Sequence, residues 1–472
     1  MDAAYDLVVI GAGSAGLVAA PFASAVGAKV LLVEKDRIGG DCTWTGCIPS
    51  KALIHTAGIV HCMRDAAAVI GGASTPLVDA GHVMERVRAA IDGVYAFETD
   101  EALAEQGVEV AFGAGRFVDE RTIAIGERRV TGRHFIVCTG AEPIVPSIPG
   151  LAQARFFTYK EVFSLKAIPH HLLVLGSGPV GAELAQAFQR LGSEVVLVEA
   201  ADRLLPIADP DASAVLSSRF TREGGEVVLR SPVERVEQRG DAIALTAAGR
   251  RIEGDAILVA VGRRPCLDEL HLERAGVAVT DDGISVDSNL RTSNSRIYAA
   301  GDAAGSLQFT HYAGWQGYVA ARNALFPGAM RGKREGVPWV VFTDPEVGQA
   351  GLTEDESRLR GGRTDVLRVP LERIDRAQTT GELDGFIKLV TRNDVVVGAT
   401  VVAPVAGEII NELALAIQSK VNLRQLGSTI HVYPTYGIGI QQLASRATIA
   451  GFNRGWQARL LRRLRSAPGR QR

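Results

Sequence analysis

The chain is poor in cysteine, methionine and tryptophan, with five, four and four among 472 residues. Its cysteines, at 42, 47, 62, 138 and 266, are too few and too scattered for the disulfide framework of a small secreted domain. Neither sign of charge is in excess. Basic and acidic side chains number 51 and 53, and the net charge of −2 gives no global attraction to nucleic acid. No apolar run reaches the length of a membrane-spanning helix; the best candidate, "VVVGATVVAPVAG", is short and broken by Gly and Pro. The opening "MDAAYDLVVIGAG" carries Asp2 and Asp6 where a secretory signal carries positive charge. A cytoplasmic protein is therefore expected, where a close cysteine pair is more often catalytic or metal-binding than structural.

Glycine is plentiful, at 52 residues, and gathers beside apolar runs, as tight turns at strand ends require. The length implies two to four domains. One design occurs twice, in "YDLVVIGAGSAGLVAAPFASAVGAKVLLVEK" (5–35) and "HLLVLGSGPVGAELAQAFQRLGSEVVLVEA" (171–200). Each has an apolar strand, a G-x-G-x-x-G turn, an alanine-rich helix, a second apolar strand and a glutamate. In both copies 23 positions separate the first glycine from that glutamate, Gly11 from Glu34 and Gly176 from Glu199. The first glycine makes the turn, the second admits a pyrophosphate against the backbone, and the third lets helix and strand pack. The phosphates then meet the positive end of the helix, and the glutamate accepts from an adenosine ribose. One such turn is often only structural; two with the same context predict two dinucleotide sites.

"GAEPIVPSIPGL" (140–151), with three prolines, reads as a linker, and "SRIYAAGDAAG" (295–305) as a strand that returns to the first nucleotide domain. The expected fold is α/β, with two Rossmann-like domains and a C-terminal α+β domain. The expected divisions are 1–149 with 271–335, then 150–270, then 336–450, and a basic tail at 451–472. Between them lies "GGDCTWTGCIPSKAL" (39–53), whose cysteines are five apart. That interval fits neither a zinc knuckle nor a thioredoxin-type pair. A zinc site recruiting His61 or Cys62 finds no second ligand pair at zinc spacing, so no resident metal is expected. Cys138, in the apolar strand "FIVCTG", reads as a buried packing residue, and Cys62 and Cys266 carry no motif and read as structural.

With these motifs, and with CTGAEP (138–143), AVGRRP (260–265), FTDPEVGQAGLTE and HVYPT (431–435), the sequence resembles the flavin-dependent pyridine nucleotide–disulfide oxidoreductases from about 5 to 445. The resemblance implies FAD at Gly11, Gly13, Ser14, Ala15, Gly16, Glu34, Lys35, Gly40, Asp41, Lys51, Gly115, Thr139, Gly140, Gly301, Asp302 and Ala313. It implies NAD(P)H at Gly176, Gly178, Val180, Gly181, Glu183, Glu199 and Gly262. It implies a homodimer with the active site across the interface. Cys42 and Cys47 become a redox disulfide, with Cys47 facing the flavin and Cys42 the substrate, and Lys51 pairs with Glu183 between flavin and nicotinamide.

Residues five apart in a regular helix have α-carbons about 8–9 Å apart, beyond the roughly 7 Å a disulfide spans, so Cys42 must lie off the helix. Gly46 then reads as a flexible joint. Cys47 falls at a helix N-terminus, where the dipole favours thiolate. Glu199 would repel a 2′-phosphate, and Arg203 is a single cation where phosphate-selective relatives carry several, so NADH is expected over NADPH.

Several positions depart from the family pattern. Disulfide reductases of the family carry His-Pro near the C-terminus with a glutamate five residues on; here those places hold Tyr433 and Ile438. A phenol is a poor proton acceptor at neutral pH. His431 is either a substitute base or a strand residue. Tyrosine at this place also occurs in mercuric reductases, but their C-terminal cysteine pair has no counterpart after Cys266. Asp41 and Trp44 replace the commoner Thr and Asn, and Trp44 reads as a constriction on the acceptor's approach. The tail has seven arginines and no acid; with Ile449 it forms an amphipathic pattern over 449–472 that reads as a packed last helix rather than a membrane contact. The leading expectation is electron flow from NAD(P)H through Cys42 and Cys47 to a small disulfide or thiol-bound metal ion. The alternatives are a quinone or oxygen reductase that bypasses the cysteines, and a docking flavoprotein subunit of a larger dehydrogenase complex.

Overall fold

The computed structural model describes residues 4–71, 77–305 and 307–454. The basic tail beyond 454 lies outside the described residues. Two compact units emerge: the chain up to Asp202 with Glu223–Arg334, and Arg203–Arg222 with the chain from Glu335 on.

The first unit holds two sheets built on parallel strands. One is a seven-stranded sheet whose parallel part runs in the order Glu109–Phe112, Val30–Glu34, Tyr5–Ile10, Arg128–Val137, with Ile297–Ala299 also on Arg128–Val137, and which continues from Arg128–Val137 through Thr122–Ile125 to Gly115–Asp119 by antiparallel pairing. Its parallel strands are nearly continuous apolar runs because both faces are covered. Leu7, Val9 and Leu32 pack on one face with Ala19, Ala20 and Ala320, and Val8, Ile10, Leu31 and Val33 on the other with Phe117 and Phe135. The second sheet runs Glu226–Val228, Glu194–Val198, His171–Leu175, Ala256–Val259, Phe156–Phe157, parallel throughout.

The glycine turns are repeated in detail. A Cβ on Gly11, at φ +105°, would lie 2.3 Å from the Cys138 carbonyl oxygen, and one on Gly176, at φ +93°, 2.6 Å from that of Ala260. A Cβ on Gly16 or Gly181 would stand 2.0 Å from the oxygen of Gly11 or Gly176. Only glycine fits these four places.

The second unit is a five-stranded antiparallel sheet, in the order Trp339–Val341, Glu346–Gly351, Val395–Ala403, Phe386–Arg392, Thr364–Pro370, with helices Ala406–Gln418 and Ile438–Arg454. The segment Arg203–Arg222, expected with 150–270, groups here instead. Within this unit the buried Lys388 Nζ lies 2.9 Å from each carboxylate oxygen of the buried Asp209 and 2.6 Å from the half-exposed Asp211. Among the described residues no helix is long and apolar enough to cross a membrane.

Candidate active site

Cys42 lies in a short helix, Gly40–Trp44, and Cys47 begins a separate long one, Cys47–Ile70. Gly46 between them is not a loose joint: its φ is not positive, and a Cβ there would approach the Asp41 carbonyl oxygen to 2.7 Å. The glycine permits close packing of the two helices. Both cysteines carry free thiols, and their side chains hydrogen-bond to each other. The Thr310 hydroxyl, on the first residue of helix Thr310–Leu325, lies 3.1 Å from Cys47 Sγ, and Ser14 bonds Cys42.

The two sulfurs are driven apart electrostatically. The hydrogen bond from Cys42, with the nearby Lys51 charge and Thr310, outweighs burial and the Glu183 charge and holds the Cys47 thiol down at about 6. The Cys42 thiol is pushed far up, first by its hydrogen bond to Cys47, then by burial and the Cys47 charge. At neutral pH the pair is therefore a Cys47 thiolate accepting from a Cys42 thiol. Lys51, one turn along the same helix, reaches Glu183 Oε2 at 2.9 Å, and Glu183 is itself buried in helix Pro179–Leu191.

The repeated glutamates are held alike. Glu34 accepts from the Ala12 and Asp36 N–H groups at 2.8 Å each; Glu199 accepts from the Ser177 and Ala201 N–H groups at 2.8 Å each, and from the Ser177 hydroxyl at 2.7 Å. The first turn fits a flavin nucleotide. A Cβ on Gly40 would come within 2.9 Å of Gly13 Cα, so the peptide before Cys42 crosses the glycine turn at backbone distance, and the buried Thr139 hydroxyl has no protein partner. Beside it Gly140 sits at φ +69°. Gly301 donates to Gln316 and would touch Ala313 and Ala15 through a Cβ. Asp302 instead forms an ion pair, at 2.8 Å, with Arg263. Lys35 lies out in solvent, 4.0 Å from Glu269, and Gly115 heads strand Gly115–Asp119, where a Cβ would meet Val33 and Ile10 at ordinary contact distance. At the second turn Gly178 has open space where a Cβ would be, Val180 lies in the first turn of the following helix, and Gly262 is exposed at φ +138°.

His431 and Tyr433 belong to the second unit, in a loop rather than a strand. The His431 ring, 8% exposed, has Nε2 2.9 Å from Glu412 Oε1 and Nδ1 3.1 Å from the Thr429 carbonyl. The Tyr433 side chain is 64% exposed, and its hydroxyl donates to Asp375 at 2.9 Å, which raises the phenol further above its usual range. The Trp44 Nε1–H donates to the Ile38 carbonyl at 2.7 Å, its ring packs on Tyr95, and Arg37 covers it. Cys138 is buried, which pushes its thiol well up. Sequence reasoning did not single out Thr310, Arg263, Tyr159 or Glu412, because each meets its partner through the fold.

Two dinucleotide turns, a polarised thiol pair between them and a separate antiparallel unit define a two-nucleotide redox enzyme. Residues 5–317 match the family model described as pyridine nucleotide-disulphide oxidoreductase, and residues 337–444 match the dimerisation domain of that family. The chain is 35% identical to a mercuric reductase of Bacillus cereus over 93% of its own length and 70% of that protein's. It is 37% identical to a dihydrolipoyl dehydrogenase of Thermus scotoductus over 93% and 96%. Among solved structures it is similar to the HOCl-induced flavoprotein disulfide reductase RclA of Escherichia coli, also solved as a Cu(II) complex, with a TM-score of 0.84 and 28% identity over 93% of this chain and 99% of that one. The chain belongs to the pyridine nucleotide–disulphide oxidoreductase family. It is accordingly an FAD- and pyridine-nucleotide-dependent enzyme, and its C-terminal unit carries the dimerisation domain.

Proposed function

We propose that the enzyme oxidises NADH and delivers the electrons through Cys42 and Cys47 to a thiophilic metal ion, with small disulfides as poorer acceptors. Bound at the first glycine turn, FAD supplies two-electron exchange between a nicotinamide and a sulfur pair. On reduction the S–S bond takes two electrons and one proton. The proton goes to Cys42, whose affinity for it is raised, and Cys47 remains a thiolate. Lys51 holds positive charge beside that thiolate, and Glu183 holds Lys51.

One observation carries the choice of acceptor. Both His431 ring nitrogens already face oxygen acceptors, and the Tyr433 hydroxyl is committed to Asp375, so neither residue offers an unoccupied base. Reducing a disulfide to two thiols consumes two electrons and two protons. Reducing Hg²⁺ to the metal, or two Cu²⁺ to two Cu⁺, consumes two electrons and no proton. Soft ions also bind thiolate sulfur preferentially. The mercuric reductase relative and the Cu(II) complex of RclA support this reading.

Glu199 supports NADH, since a carboxylate fixed at the second turn repels a 2′-phosphate. The working protein is read as a cytoplasmic homodimer, with the C-terminal unit at the subunit contact. The test is anaerobic: NADH-reduced holoenzyme is offered Hg²⁺, Cu²⁺, lipoamide, glutathione disulfide and a quinone. A kcat/KM at least about tenfold higher for a metal ion than for any disulfide, lost in Cys42→Ser, is expected. Unchanged acceptor turnover in Cys42→Ser would reject the cysteine route and leave the quinone or oxygen reading.

A further inference from the structure

Asp41 immediately precedes Cys42, and its carboxylate is engaged by protein. Oδ2 accepts from the Tyr159 hydroxyl at 2.7 Å and from Arg263 Nη2 at 2.8 Å, and Oδ1 from Thr45 at 3.3 Å. Arg263 spends its other donors nearby: Nη1 lies 2.8 Å from Asp302, Nε donates to the Tyr159 oxygen at 3.1 Å, and Nη2 reaches the Ala141 carbonyl at 3.4 Å. Tyr159 is 7% exposed, and burial raises both its phenol and the Asp302 carboxyl above their usual ranges. Two carboxylates and one guanidinium thus share a half-buried site. Besides the segment of Tyr159, the cluster joins three distant parts of the first unit. They are the peptide bearing Cys42, the strand Arg263–Pro265 paired with Ala141–Pro143, and the loop at Gly301 that approaches Ala15 of the first glycine turn.

We propose that Asp41, gripped by Tyr159 and Arg263, is a positioning residue that sets the reduction equilibrium of the Cys42–Cys47 pair; this rests on the redox role given to those cysteines. A five-residue helix does not hold itself in place. Gly40–Trp44 is placed by its tethers: Asp41 and Thr43, whose hydroxyl donates to Glu98 at 2.7 Å, flank Cys42, and Asp41 is the one of the two that itself carries charge. The tendency of two thiols to close into a disulfide depends on how well their geometry is enforced. A tethered Cys42 therefore favours the disulfide, and an untethered one favours the dithiol. Charge acts in the same direction, because removing a negative group beside the pair stabilises the Cys47 thiolate of the reduced form.

The test compares wild type, Asp41→Asn, Asp41→Glu, Arg263→Lys and Tyr159→Phe as FAD-loaded proteins equilibrated in graded dithiol–disulfide buffers. Cys42 and Cys47 are alkylated and the oxidised fraction is read by peptide mass. Asp41→Asn shifts the equilibrium about tenfold toward the dithiol, which corresponds to about 30 mV. Arg263→Lys shifts it alike, since lysine lacks the planar fork. Tyr159→Phe shifts it two- to threefold, and Asp41→Glu, which keeps the charge, recovers most of the wild-type value. The Tyr159 variant loses one hydroxyl and serves if the charge variants do not fold. Equilibria within twofold of wild type, with only a lowered melting temperature or lost FAD, would overturn the assignment. A wild type that forms no Cys42–Cys47 disulfide in any buffer would instead refute the proposed function.

Discussion

Thr310→Val removes one hydrogen bond to Cys47 at nearly constant volume, and its effect can be worked out in advance. A hydrogen bond to a charged group contributes about 1.5–3 kcal/mol, and one pKa unit corresponds to about 1.4 kcal/mol. Losing the Thr310 hydroxyl, 3.1 Å from the sulfur, should therefore raise the Cys47 thiol by about one to two units from its value near 6. The rise falls toward the lower end because Cys42, the largest cause of the depression, stays in place. Cys47 is nucleophilic above its pKa and loses reactivity as pH falls through it. In wild type that loss centres near pH 6, and in the variant near 7 to 8, so at pH 7 the thiolate fraction drops from about nine-tenths to between about half and one-tenth. The assay is the pH profile of Cys47 alkylation by iodoacetamide in reduced holoenzyme, read by peptide mass. A midpoint that stays within about 0.3 unit of wild type would refute the claim that Thr310 donates to the thiolate.

Glu199→Gln keeps one of the two accepting oxygens, sets an amide NH2 in place of the other, and removes the charge; it should raise the NADPH-to-NADH affinity ratio about tenfold in equilibrium binding. Tyr433→Phe and His431→Gln should leave metal-ion reduction within about twofold of wild type in steady-state assays, and losses beyond tenfold would restore a base to the mechanism. Lys388→Met strands the Asp209 carboxylate, 4% exposed, without its cation and should cost about 3–5 kcal/mol, read as a lowered melting temperature.

The glycine–glutamate repeat was legible because it is backbone chemistry at short range: a carboxylate 23 residues past the first glycine meets the N–H following that glycine, in both copies. Cys47 at a helix start was equally legible, since Pro49 two residues on suits a first helical turn, where its missing N–H costs nothing. Gly46 was misread because a tight approach to the Asp41 carbonyl and a need for backbone freedom leave the same letter. The contacts of Trp44 were not legible, because its indole N–H meets the Ile38 carbonyl, a pairing set by local folding. Thr310 against Cys47 spans 263 residues and Arg263 against Asp41 spans 222, and neither contact leaves a periodicity to detect. The His431–Glu412 pair, 19 residues apart, arises where a loop meets the helix Ala406–Gln418.

The excursion Arg203–Arg222 has a practical consequence for anyone wishing to dissect this enzyme. A gene fragment ending at 334 would still encode Asp209 and Asp211 while deleting the lysine that neutralises them, and the fragment beginning at 335 would carry that lysine with no counter-ion. Neither fragment is a self-sufficient module, so the dimerising half cannot be grafted, swapped or expressed alone without the segment Arg203–Arg222, with its helix Pro210–Arg222, that lies within the nucleotide half of the sequence.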